Sequence, residues 1–195
     1  MPRRPPRPAV PAVLVGVAVL ALTACAPAAE EAAPDTPSPV SSSPTPSNIP
    51  TFSRAPTDVR LPADCKAMLS ADVLAQLGTV PLNDPALGAS GVQPDGSLIC
   101  IWRDPGADTT GLTTTISRMN RGPALDMLND LVSTQGFSCY TPDAGTRCEK
   151  TWINDTYPVN DGRTLYWRDD VLIDTQYSNL APTGYTSSII SSIFG

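Results

Sequence analysis

The chain has 195 residues, 41% of them hydrophobic and 16% charged, with a formal net charge of −6 and no histidine. An acidic chain without a basic cluster is a poor match for nucleic acid or for a polybasic membrane contact. The lack of histidine excludes Ser-His-Asp and Cys-His nucleophiles, and with no C-x-x-C spacing it leaves little from which to build a zinc site.

Arg3, Arg4 and Arg7 precede an uncharged apolar run over 10–22, the layout of an export signal. As a membrane helix the run is weak, because Pro11 breaks its start and Ala26-Pro27-Ala28-Ala29 adds little apolar area. Leu22-Thr23-Ala24-Cys25 resembles a bacterial lipobox. That resemblance implies that residues 1–24 are a signal peptide and that the Cys25 sulfur receives a diacylglyceryl group. Each buried CH₂ contributes about 0.8 kcal/mol, so two acyl chains make attachment durable where one is marginal. The expected location is the outer face of the cytoplasmic membrane, held there by the lipid at Cys25.

Residues 25–59 are dominated by Pro, Ser, Thr and Ala, with too few apolar side chains to offset the entropy of ordering. They read as a lipidated, disordered, partly polyproline tether leading to one folded domain over 60–195. Five cysteines are an odd set, but assigning Cys25 to lipid leaves Cys65, Cys100, Cys139 and Cys148. Export to an oxidising compartment permits disulfides, and of three possible pairings Cys65–Cys100 with Cys139–Cys148 is favoured. The second pair flanks the turn sequence Pro142-Asp143-Ala144-Gly145 and would staple a hairpin.

Within the domain, Asp64 is expected to cap a short helix carrying Cys65, Met68 and Leu69. Ser70 caps a second, with Val73, Leu74 and Leu77 at helical spacing and Gly78 as its stop. Strands are predicted over 98–102 and 112–119, where Ile and Thr are frequent. Pro123 opens an amphipathic helix whose Leu125, Met127, Leu128, Leu131 and Val132 share a face, and Gly136 closes it. Strands follow over 137–141 and 147–153, then a hairpin of 165–168 with 171–177 turning at Asp169-Asp170. Such a turn sets Trp167 opposite Leu172 and Tyr166 opposite Ile173, giving apolar area on both faces. A last helix starts near Gly184 and aligns Tyr185, Ile189, Ile190, Ile193 and Phe194. The fold class expected is α+β, one antiparallel sheet packed by helices on one face, with two disulfides.

Asp64-Cys65, Met68-Leu69-Ser70, Val73, Leu77-Gly78 and Cys100-x-Trp102 together resemble small actinobacterial cell-envelope lipoproteins of unknown function. The resemblance implies a compact disulfide-bonded domain outside the cytoplasmic membrane and carries no catalytic residues with it. Sensor domains of actinobacterial kinases are similar in their disulfide-bonded α+β character, which implies at most a sensor-like role.

Several side chains invite a chemical reading. Lys66 and Lys150 are the lysines available for a Ser–Lys pair, yet neither lies in a Ser-x-x-Lys motif. Asp104, Asp169 and Asp174 could supply a carboxylate pair for glycan hydrolysis, although Asp104 and Asp169 also suit turns. Trp102, Trp152, Tyr157, Tyr166, Trp167, Tyr177 and Tyr185 concentrate in the strand-rich half, where aromatics serve a core first and a binding surface second. The expectation is therefore a non-enzymatic binding or sensor-like domain without a cofactor or metal, its partner an unknown envelope protein or ligand. The alternatives are a carrier of an envelope lipid or glycolipid, or a carboxylate-based cell-wall hydrolase.

Overall fold

The computed structural model describes residues 58–195, so the expected signal peptide, Cys25 and nearly all of the tether lie outside the described residues. At the centre of the fold is the hairpin around Asp169-Asp170. Strands β6 (Asn160–Arg168) and β7 (Val171–Ser178) pair with Trp167 opposite Leu172 and Tyr166 opposite Ile173. Asp169 and Asp170 take φ of 50° and 58°, the left-handed geometry that both central positions of a type I′ turn demand.

Around this hairpin the chain builds one seven-stranded antiparallel sheet. Its other strands are β1 (Gly91–Val92), β2 (Leu98–Arg103), β3 (Gly111–Arg118), β4 (Ser138–Tyr140) and β5 (Thr146–Ile153). The spatial order is β1-β2-β3-β7-β6-β5-β4, so β3 sits beside β7 rather than beside its successor in sequence. The helices are α1 (Ala71–Leu77), α2 (Arg121–Gln135) and α3 (Tyr185–Phe194). Ser70 caps α1 by accepting from the Val73 amide, and Gly78 ends it. Residues 65–68, expected to be helical, form a turn instead. Asp64 Oδ1 accepts from the Lys66 and Ala67 amides at 2.8 Å each, as a cap would, but the chain closes a single turn, with the Leu69 amide donating to the Lys66 carbonyl at 3.0 Å, before Ser70 starts α1.

The helices do not share one face, which corrects the layer arrangement expected from sequence. Alternation along the strands sends Leu98, Cys100, Ile116, Tyr166 and Ile173 to the side covered by α1, α3 and the 65–69 turn. Leu165, Trp167, Leu172 and Cys148 point the other way, into a second cluster with Ala124, Leu128 and Leu131 of α2. The reason is in β6 and β7, where both alternating sets of side chains are apolar and each needs a cover. The last turn of α3 lays Phe194 against Tyr166, ring centroids 6.0 Å apart and edge to face.

Both favoured disulfides are present. Cys65–Cys100 ties the turn before α1 to β2 with Cα atoms 5.7 Å apart. Cys139–Cys148 joins directly opposed residues of the β4–β5 hairpin, Cα atoms 4.1 Å apart. Where the described chain enters, the Arg118 guanidinium donates to the Val59 carbonyl, at the end of the sheet where Arg118 faces Val171.

Candidate functional site

Helix α3 crosses only part of its sheet face, and the uncovered remainder is a groove of about 750 Å³. Its floor comes from the alternation of β3, β7, β6 and β5, which places Thr175, Thr164 and Glu149 in one cross-strand row. Residues 181–187, leading into α3, form its wall.

The floor is a hydroxyl network. Thr114 Oγ1 lies 3.0 Å from Thr175 Oγ1 and donates to the Tyr185 hydroxyl at 3.1 Å, all three side chains being buried. Burial pushes the Tyr185 phenol pKa up, opposed in part by contacts from Thr114 and Trp102. Farther along, Tyr177 lies over Gly162, and its hydroxyl is 2.9 Å from Thr151 Oγ1. A Cβ at 162 would come within 2.2 Å of the Tyr177 ring, so any larger residue there must displace the tyrosine. Arg147 Nε donates to Glu149 Oε2 at 3.1 Å, and the guanidinium carbon sits 5.9 Å from the Tyr140 ring centroid. Above this buried network the groove offers a ligand the Thr151 and Tyr177 hydroxyls and one ion pair, and little apolar surface to a lipid tail.

The carboxylates singled out from sequence do not converge. Asp174 projects from the opposite face and is held bidentately by Arg163, at 2.9 and 2.7 Å. Asp104 opens the β2–β3 loop, accepting from the Gly106 amide at 2.8 Å, and Asp169 sits in the β6–β7 turn beside Arg168. Those two loops lie at opposite ends of the sheet, roughly 20 Å apart by strand rise. That is about twice the largest separation two glycosidase carboxyls use. Lys66 is exposed, and Lys150 donates to the Gln135 carbonyl at 2.6 Å. Asn154-Asp155-Thr156 forms an exposed turn in which Asn154 Oδ1 accepts from the Thr156 and Tyr157 amides. Among the described residues no three His, Cys, Asp or Glu side chains gather as a metal site, and no helix is long and apolar enough to cross a membrane.

Of the aromatic set, Trp102, Tyr166, Trp167 and Tyr185 are core residues and Tyr177 is half-buried, whereas Trp152 and Tyr157 are exposed. The sequence reading did not single out Arg147, Glu149 or the threonines of the groove. Their alternation with buried apolar residues along β5, β6 and β7 was the available signal.

No family model matches the chain, and no curated protein matches it. Among solved structures it is similar to that of cyanobacterial PsbP (CyanoP) from Synechocystis sp. PCC 6803, at 14% identity, over 58% of this chain and 77% of that one. The TM-score of 0.31 is too low to carry a fold or a function across.

Proposed function

We propose that the chain is a lipoprotein attached through Cys25 to the outer face of the cytoplasmic membrane, and that its domain is a non-enzymatic binding module. The groove between α3 and the β5–β6 half of the sheet is its ligand site. The observation that carries the binding reading is the polar groove itself. A cavity of about 750 Å³ is within the range of small-molecule sites, and its hydroxyls and Arg147–Glu149 pair favour a polar envelope ligand over a lipid tail. The anchor rests on the lipobox resemblance and on the even set of cysteines that remains once Cys25 is assigned to lipid.

Site-specific photo-crosslinking in cells tests the binding reading. A photoreactive residue at Thr151 or Ser187, both lining the groove, should give a discrete adduct absent when the same group stands at Ser133 on the exposed side of α2. Identical or absent adducts at all three positions would defeat it. The anchor is tested separately: Cys25→Ala should abolish fatty-acid labelling and shift the protein from the membrane fraction to the medium.

A further inference from the structure

The sheet face bearing α2 is covered only at one end. At the other, a row of residues runs across five adjacent strands: Arg103 on β2, Gly111 on β3, Ser178 on β7, Asp161 on β6 and Trp152 on β5. At about 4.8 Å per strand, the row spans about 19 Å. Behind it runs a second row containing Thr113 and Gln176, both exposed. Together they line a shallow cleft of about 340 Å³, with Trp152 as one wall and Arg103 with Asp108 as the other.

We propose that this cleft is a second binding site, for a neutral glycan chain, with a sugar ring stacked on Trp152. It lies on the opposite sheet face from the groove and depends neither on that site nor on the anchor. Trp152 is the one tryptophan of three that is open to solvent, at 40% against 3% for Trp102 and 7% for Trp167. Its ring is supported from behind, since Lys150 Nζ lies 5.9 Å from the ring centroid while donating to the last carbonyl of α2. An indole presented this way offers a flat apolar face to the C–H face of a sugar, and planar polar side chains beside it suit the hydroxyls.

The floor holds an acceptor still to be satisfied. Asp161 Oδ2 accepts from Asn154 Nδ2 at 2.6 Å, but Asp161 Oδ1 is buried and accepts from no group among the described residues. A ligand hydroxyl can donate to it after a small side-chain adjustment. An acceptor left unmet in a buried position costs free energy that such a donor restores.

Other ligand classes fit less well. Asp108 and Asp161 outnumber Arg103 in the cleft, and the chain as a whole is acidic, so a phosphate-bearing polymer meets repulsion. Trp152 and Tyr177 are the large hydrophobic side chains among the lining residues, and the rest are polar, charged or glycine, too little for a lipid tail. A peptide adding as a strand would pair along the outer edge of β5 beyond β4, to one side of the cleft, whereas the floor lies on β3, β7 and β6, which are paired on both sides.

The test is calorimetric and fluorimetric titration of the full chain with β-1,4-linked N-acetylglucosamine and glucose oligomers of about four to six units. A short anionic polyphosphate serves as the control polymer. All three tryptophans fall within 102–167, so a shift in emission reports on the folded domain. At least one of the two oligomers should bind saturably with a blue shift from Trp152. Trp152→Ala should weaken binding at least about tenfold, Trp152→Phe should recover part of it, and Asp161→Asn should weaken it severalfold. Glu149→Ala, in the groove, should leave affinity unchanged. The proposal is overturned by no heat or emission change with either oligomer at several millimolar, by equal affinity in Trp152→Ala, or by tighter binding of the polyphosphate.

Discussion

Two glycines lie under aromatic rings, and they are expected to respond unequally to the same substitution. A Cβ at Gly145 would stand 2.3 Å from Tyr166 Cζ and 2.4 Å from its hydroxyl; at Gly162 it would stand 2.2 Å from the Tyr177 ring. Neither glycine has a positive φ, so alanine brings no backbone strain at either site and the cost is steric. What differs is whether the ring can move. Tyr166 is fully buried, donates to the Asp143 carbonyl at 2.9 Å and is packed on its other side by Phe194. Tyr177 is half-buried and gives up only its contact with Thr151 when it swings outward. Overpacking a site that cannot relax costs roughly 1–3 kcal/mol, and breaking a buried hydrogen bond adds about 1–3 kcal/mol. Gly145→Ala should therefore destabilise by about 2–4 kcal/mol and Gly162→Ala by about 1 kcal/mol. Urea unfolding followed by tryptophan emission, with disulfides intact, measures both. In a thermal melt the first would appear as a fall of roughly 6–15 °C. A loss below about 0.5 kcal/mol for Gly145→Ala, or the reverse order, would refute the claim that Tyr166 is immovable.

Ala144 occupies a left-handed turn position, φ 59°, so Ala144→Gly should stabilise by roughly 0.5–1 kcal/mol in the same unfolding assay. In the chain-entropy model, removing Cys65–Cys100 should cost about 3.8 kcal/mol and removing Cys139–Cys148 about 2.7 kcal/mol. Because Cys139 alone of the four is exposed, brief native reduction followed by alkylation and mass mapping should label the Cys139–Cys148 pair first. Burial raises the phenol pKa of both Tyr166 and Tyr185, so their neutral forms stabilise the fold below the ordinary tyrosine range and that contribution is lost as pH rises above it. Absorbance titration near 295 nm should accordingly show two of the five tyrosines ionising only as the fold opens in alkali. At the acid end, hydrogen bonds from the Ala67 and then the Lys66 amide hold the Asp64 carboxyl below the ordinary aspartate range, so the 64–67 turn should persist through that range and loosen only as pH falls below it, as the Ala67 amide shift would record.

Much of this architecture is legible in the sequence. The strands announce themselves where β-branched and aromatic residues lie between turn residues, and Asp169-Asp170 sets the register of the central hairpin by chain geometry alone. Residues 160–164 are harder to read, because Asn-Asp-Gly-Arg-Thr has no apolar alternation. They become strand only because β5 and β7 pair with them on both sides. The layers were half-readable: Trp167 and Tyr166 mark two apolar faces, but nothing local shows that α2 covers one while α1 and α3 cover the other. The cleft was the least readable, since its residues share a row only after β3 skips to β7. Trp152 stood out in the sequence as an aromatic residue, whereas Arg103, Gln176 and Asp161 did not.

The Arg118–Val59 hydrogen bond has a consequence for presentation. It fixes the point where the described chain enters at the Val171 end of the sheet, whereas Arg103, Ser178 and Trp152 lie at the other, seven residues away along β7 from Val171 to Ser178. At strand rise that is roughly 23 Å. The tryptophan cleft therefore sits at the pole of the domain opposite the one where the described chain enters, so whatever occupies one pole leaves the other clear.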